Sequence, residues 1–282
     1  SSRYQLGYRN FKITNTIDVI THCWMAAEER LQRDIRDYRP DANEETITQL
    51  FCTQLAKGLK AASDNDQIKQ AFLRDMQIAF SRVYPHFLYQ IVEGLIADVT
   101  LHERHTEGLT GGDLGLVIVR PQIHKHFGHL QIGDYRQGIL TQAKLKRSDG
   151  KWGRFTKRQQ DVLPERLRYL ALLLYSYTDV ERHLLSDFQW QLCSSVSFPV
   201  VENWLKGDVF PSLLGSADII RRLGHGDIGT DDSKIVDEII APEGSAALII
   251  TIGWPEGKGP GSQVRVLSRH ELRRNTQSVG KH

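Results

Sequence analysis

The chain has 282 residues, of which 40% are hydrophobic and 25% charged, with a formal net charge of +2. That balance belongs to a folded globular protein and excludes a disordered polyelectrolyte, while the near-neutral total gives no overall electrostatic case for a nucleic-acid partner. The longest apolar run, from Tyr169 to Tyr175, falls well short of the roughly 18–20 residues that span a bilayer, so no membrane partner is expected.

In chain order, the first hundred residues read as helical. Ile17, Ile20, Trp24, Leu31 and Ile35 form one stripe of a helix that ends before Arg39 and Pro40. Asn43 reads as the N-cap of a second helix, with Glu44 and Glu45 in the first turn, where the helix dipole favours acids. Ile47, Leu50, Phe51, Leu55 and Leu59 continue it at helical spacing, and a third helix is expected over 67–83, stopped by Pro85. From Ile96 the period changes. Residues 97–102 alternate as a strand, and Gly108, Gly111 and Gly112 mark a turn. An apolar strand over 114–119 follows, then a connecting excursion from Pro121 to Gly138, then a strand over 139–145. A short helix is expected over 156–163; 169–177 reads as a buried strand or a helix, with the strand favoured, then helices near 201–205, 216–223 and 233–239. A late strand covers 246–252, 263–267 reads as its hairpin partner, and the polar tail after His270 is expected to be loose. The chain thus divides into a helical N-terminal region (1–40), a core (41–180) and a C-terminal α/β extension (181–282) that stands apart or belongs to the same domain.

The informative stretch is Gly111-Gly112-Asp113-Leu114-Gly115-Leu116-Val117-Ile118-Val119, followed by Ile139-Leu140-Thr141-Gln142-Ala143-Lys144-Leu145-Lys146. An acid stands at the mouth of one apolar strand, and the next strand carries Gln142 and Lys144. Side chains alternate along a strand, so Gln142 and Lys144 share a face, which also holds Asp113 if the strands pair. A carboxylate, an amide oxygen and an ammonium at one end of a sheet suit phosphodiester hydrolysis. Mg²⁺ (or Mn²⁺) takes one or two carboxylates, a carbonyl and the substrate phosphate as ligands. The ion polarises the phosphate and lowers the pKa of an attacking water, and a lysine beside it orients that water or offsets transition-state charge.

This pattern resembles the PD-(D/E)XK, or restriction-endonuclease-like, nuclease superfamily, over roughly residues 43–177. Asp113, Gln142 and Lys144 fall on its acid-then-(D/E)xK signature, in the D…QxK form found in Mrr-like restriction endonucleases. Gln142 stands where an acid is usual, which implies weaker metal binding and keeps open a non-cutting member. The resemblance implies an α/β fold with a mixed β-sheet flanked by helices, and a further Glu from the helix preceding the sheet. Glu44, in register with Ile47 and Phe51, is preferred there over Glu45, and Glu107 is the other acid near the site. It further implies a Mg²⁺-dependent endonuclease acting on DNA, double-stranded rather than RNA, in prokaryotic restriction or antiphage defence, as a homodimer or under a defence-system partner protein. The alternative is a non-catalytic nucleic-acid-binding or partner-dependent subunit that keeps the fold.

Downstream, Lys144, Lys146, Arg147, Lys151, Arg154, Lys157 and Arg158 are opposed only by Asp149 over that interval. Such a cluster binds phosphates or forms a solvated face, and charge alone does not separate the two. Gln159 and Gln160 follow on the short helix; Gln160 is a candidate DNA-backbone contact. Trp152 reads as a loop anchor or a base-stacking ring. His102, His105, His124, His126 and His129 lack the spacing of a zinc site and read as exposed loop residues. Cys23, Cys52 and Cys193 are scattered, which fits neither a disulfide framework nor a cysteine zinc site and points to a reducing cytoplasm. Nothing at the start has a signal-peptide pattern, and Ser1 in place of Met points to a removed or missing start.

Overall fold

A computed structural model describes residues 13–38, 42, 44–79, 89, 91–102, 110–126, 129–178, 184–241, 246–255 and 263–265. The expected helical start is present as α1 (Thr16–Tyr38), α2 (Glu44–Asp64) and α3 (Gln67–Ala79). The α1 stripe is buried throughout: Ile20, Leu31 and Ile35 are fully enclosed, with Ile17 and Trp24 nearly so. The strands are β1 (Ile96–His102), β2 (Leu114–His126) and β3 (His129–Lys146). After them come α4 (Lys157–Val162), a 3-10 helix (Leu163–Tyr169) and β4 (Leu170–Thr178). The remainder comprises β5 (Leu184–Leu185), β6 (Gln189–Leu192), α5 (Phe198–Gly207), β7 (Leu214–Gly215), α6 (Ser216–His225), α7 (Ser233–Ile240), β8 (Ala246–Gly253) and β9 (Gln263–Arg265). None of the described helices is long and apolar enough to cross a membrane.

Among the described residues the strands join one mixed sheet in the order β1-β8-β2-β3-β4-β6-β7, with β5 beside β4 and β9 beside β3. β2 and β3 pair antiparallel from Leu114↔Thr141 to His126↔His129. β3 and β4 pair parallel from Leu140↔Leu170 to Lys146↔Ser176, and α4 with the 3-10 helix makes the crossover that a parallel pair requires. Helices cover both faces. On one, α1, α2, α3 and α6 pack against Leu116, Ile118, Ile139 and Tyr175. On the other, the 3-10 helix, α5 and α7 pack against Val117, Leu140, Leu172 and Leu174.

The structure departs from the sequence reading in two places. Residues 121–138 are not a connecting excursion, because β2 runs through Pro121 to His126 and β3 returns from His129. Pro121 is tolerated because the β2–β8 ladder ends at Val119↔Thr251, and beyond it no strand among the described residues takes an N–H from that edge of β2. The strand over 263–267 does not return on β8. Its described part, β9, pairs with β3 at His129 to Gln131. From the 181–282 segment, β8 lies between β1 and β2, antiparallel to the first and parallel to the second. Its Ala-Ala-Leu-Ile-Ile-Thr-Ile run is apolar on both faces, as a strand covered on both sides must be.

One buried acid in the α1 layer couples this fold to pH. Glu28 is enclosed; its Oε1 accepts from the Phe188 N–H at 3.0 Å, while Oε2 finds no hydrogen-bond partner among the described residues. Burial raises its pKa from 4.5 to about 7 against the opposing hydrogen bonds, with nearby Asp187 adding to the rise. The folded state therefore holds a proton that the unfolded chain has released between those values, so stability is full below 4.5 and falls as pH rises through about 7. Denaturant titrations at about pH 5 and about pH 8 should differ by on the order of 3 kcal/mol from this group, and Glu28→Gln should flatten the profile.

Candidate active site

β3 outruns its neighbour. β2 begins at Leu114 opposite Thr141, so the next residues of β3 have β4 on one side only. Asp113 takes over there: its N–H donates to Thr141 O at 2.9 Å and its Oδ2 accepts from the Ala143 N–H at 2.9 Å. The same Oδ2 accepts from Gln142 Nε2. The strand alternation holds, since Ile139 and Ala143 face the α1–α3 layer, whereas Leu140 faces the 3-10 helix and α5. Gln142 and Lys144 share the Leu140 face, and Asp113 joins them.

The glycines before Asp113 have packing reasons. Gly111 sits at φ +74°, and a Cβ on Gly112 would lie 2.5 Å from Leu140 Cδ1. Neither forms a phosphate-cradling loop, since the segment leads into β2.

Gln142 and Lys144 are only 2% and 5% exposed. Gln142 Oε1 is buried with no hydrogen-bond partner among the described residues. Such an oxygen is costly to leave unsatisfied. Turning the amide half a turn would bring Oε1 beside Asp113 Oδ2, an arrangement of two acceptors that calls for a cation between them. The donor set, one carboxylate and one amide oxygen, therefore fits a hard oxygen-seeking cation such as Mg²⁺ that keeps several waters. No group of three His, Cys, Asp or Glu side chains suited to a metal ion occurs among the described residues.

Lys144 is held from above. Its Nζ donates to Arg154 O at 3.2 Å and lies 4.5 Å from the centre of the Phe155 ring, a cation–π contact that favours the charged amine. Phe155 packs on Phe198 of α5, ring centres 5.0 Å apart. Segment 147–155 folds back along the end of β3, with Gly153 N–H on Leu145 O at 3.2 Å and a bridge between Lys146 and Trp152. Asp208 fastens the fold-back, taking Lys146 Nζ at 2.6 Å and the Trp152 indole N–H at 2.7 Å. Trp152 is thus a loop anchor, edge-on to Phe210 at 5.7 Å. The sequence reading missed Phe155 and Asp208. Phe155 carries a weak signal, an aromatic between Arg154 and Thr156, but Asp208 is too distant in sequence to be paired with Lys146 by inspection.

The other candidates separate. Lys157 pairs with Asp161 at 3.1 Å, Arg147 lies 3.9 Å from Asp149, and Gln160 donates to Glu202 at 3.1 Å. Gln159 closes the capping box with Thr156. Arg158 is half-buried, while Lys151 and Arg154 are exposed. Local acids, Asp149 and Asp161, and the distant Asp208 on Lys146 therefore dilute the basic cluster. Glu44 opens α2, and the Tyr177 hydroxyl, one residue past the Lys146↔Ser176 pair, donates to Ala42 O at 3.0 Å. That ties the start of α2 to the site's end of the sheet, on the face opposite Gln142; the Glu44 and Glu45 side chains lie outside the described residues, as do Glu107 and His105. His124, His126 and His129 stand on the β2–β3 strands rather than in a loop.

The chain matches no protein-family model and no curated protein. Gly112→Ala forces Leu140 aside and should cost about 1–3 kcal/mol of stability in a urea titration, in the manner of an overpacked core.

Proposed function

We propose that this chain is a Mg²⁺-dependent DNA endonuclease with a restriction-endonuclease-like fold. The observation that carries the reading is the convergence of Asp113, Gln142 and Lys144 on one face of the sheet at the point where β2 stops and β3 continues. An acid at the start of one strand, QxK on its antiparallel neighbour and a parallel strand reached across a helix also agree with the superfamily that the sequence resembles. The preference for double-stranded DNA and the setting in prokaryotic defence rest on that resemblance.

On this reading Asp113 and Gln142 Oε1 hold the metal; Glu44 as the further acid rests on the resemblance alone, since the start of α2 is tied to the opposite face of the sheet. The bound ion would polarise the scissile phosphate and supply a water of lowered pKa. Lys144, fixed by Arg154 O and the Phe155 ring, presents its ammonium to the attacking water and to the charge that develops on the phosphoryl oxygens. Phe155 and the fold-back segment limit the bulk water that reaches it. Exposed Lys151 and Arg154 meet the flanking phosphates as point charges.

A second reading is a nucleic-acid-binding subunit that cuts only with a partner, or not at all. It is favoured by the low exposure of Lys144 and by the engagement of Lys146 with Asp208. Supercoiled plasmid separates the two. The enzyme reading expects nicking or linearisation with Mg²⁺ or Mn²⁺, none with chelator, and a drop of about 100-fold or more in Lys144→Ala. Binding without cutting, unchanged by metal, would establish the second reading.

A second variant tests the ligand assignment apart from turnover. Gln142→Glu places two carboxylates side by side, so the metal-free protein should melt lower than wild type and gain more from added Mg²⁺ or Mn²⁺. Equal melting shifts in both proteins would remove Gln142 from the metal site.

A further inference from the structure

A second recess opens on the other side of the sheet, near the far end of β2. The β2–β8 ladder ends at Val119↔Thr251, and Arg120 to Ile123 continue with β3 alone. The separation leaves a cavity of about 290 Å³ between β2, the start of α1, α3 and the end of α6. That is close to the lower limit, roughly 300 Å³, of small-molecule sites. Ile17, Phe72, Met76 and Ile252 give it apolar walls.

Asn15, Thr16, Asp75, Arg120, Gln122 and His225 supply its polar side. Arg120 Nε donates to Gly224 O at 3.1 Å, and the guanidinium lies 4.6 Å from the centre of the Tyr135 ring. Tyr135 is itself held by its hydroxyl on Gln137 Oε1 at 2.8 Å. It can sit there because residue 226 is a glycine, at φ +81°, where a Cβ would lie 2.6 Å from the tyrosine oxygen. Among the described residues no carboxylate lies within ion-pairing distance of Arg120. His225, at the end of α6, adds a second donor to the rim. Asp75 faces them, its Oδ2 occupied by Thr16 N–H at 3.1 Å and Thr16 Oγ1 at 2.5 Å.

We infer that this cavity binds a small apolar carboxylate, its ring or chain against Phe72 and Met76 and its anionic group on Arg120. An arginine braced through Nε keeps its two terminal nitrogens for end-on recognition of a carboxylate. The brace removes most of the ordering cost of binding. The presence of Asp75 disfavours a more highly charged ligand, so a single carboxylate is the better match than a phosphate dianion. The apolar walls are the edge of the main core, with Phe72 edge-on to Trp254, whereas Arg120 is held through Nε on Gly224 and presents its outer edge to the cavity.

Phenylacetate is a suitable probe, with acetate and phenylacetamide separating the anionic from the apolar contribution. The chain has two methionines; Met76 lines the cavity and Met25 does not. With ¹³C-methyl methionine, phenylacetate should shift the Met76 resonance saturably and leave Met25 in place, with Met25→Leu providing the assignment. Acetate and the amide should bind at least about tenfold more weakly, and Arg120→Gln should weaken phenylacetate by a similar factor. Arg136→Gln, which removes a surface pair with Asp237, should bind as wild type. A Met76 signal that does not move, movement of both methionines together, or amide binding equal to the acid would overturn the assignment. The wild-type spectra decide this even if Arg120→Gln is unstable.

Discussion

The whole site depends on a strand that runs past its neighbour. Where β2 ends, the Ala143 N–H of β3 has lost a ladder partner, and an unpaired backbone donor in a buried place is costly. The carboxylate of Asp113 supplies that partner. The acid is therefore held by the sheet itself, in a position fixed by the Leu114↔Thr141 register. A slip of one residue would turn Gln142 and Lys144 into the α1–α3 layer and expose Thr141 and Ala143 in their place. The register that buries Leu140 and Leu116 on opposite faces is the same one that assembles the three polar groups, so packing and chemistry cannot vary independently here.

A second constraint acts on the whole chain. β8, near the C-terminal end, separates β1 from β2. The sheet cannot close around its apolar middle until that late strand arrives, and α1, at the start, packs on α2 and α6. α1 and β8 thus contribute to one apolar core. The crevice beside Arg120 follows from the same insertion. β8 accompanies β2 only as far as Val119, and past that point the helices of one layer rest on a two-stranded ribbon rather than on the full sheet.

Much of this was legible in the sequence because periodicity reports burial. The helical stripe from Ile17 to Ile35, the strand read over 169–177 and the Gln142–Lys144 parity follow from which positions must be apolar, whereas the short helix after Thr156 buries no residue and is held by its capping box. Pro121 and Gly138 misled the reading of 121–138, since both usually punctuate strands. Each is accommodated for a reason that only tertiary structure shows. Pro121 lies past the end of the β8 ladder. Gly138 pairs with Thr230 across two backbone hydrogen bonds of 2.9 and 2.8 Å, under α7 side chains that leave little room for a Cβ. Pairings between distant segments, such as β8 beside β2 or Asp208 with Lys146, leave no local trace at all. Within the basic run after Lys144, the Lys146–Asp208 pair is of this distant kind, whereas Lys157 finds Asp161 one turn along the same helix.

The glutamine at 142 makes electrostatic sense in this setting. With Glu in its place, two carboxylates would share a buried corner, and without a cation one of them would have to take a proton. With Gln, the amide N–H bridges to Asp113, and the face carries one negative group and the Lys144 ammonium in near balance. The site is then stable without metal, and Gln142 Oε1 remains as the unsatisfied atom. On the proposed reading, weak metal affinity would be the physical counterpart of that arrangement, because an uncharged oxygen contributes less than a carboxylate to holding a divalent ion. On the proposed reading such a site would hold its metal best once the substrate phosphate adds its own negative oxygens, so cutting would depend on DNA and metal arriving together.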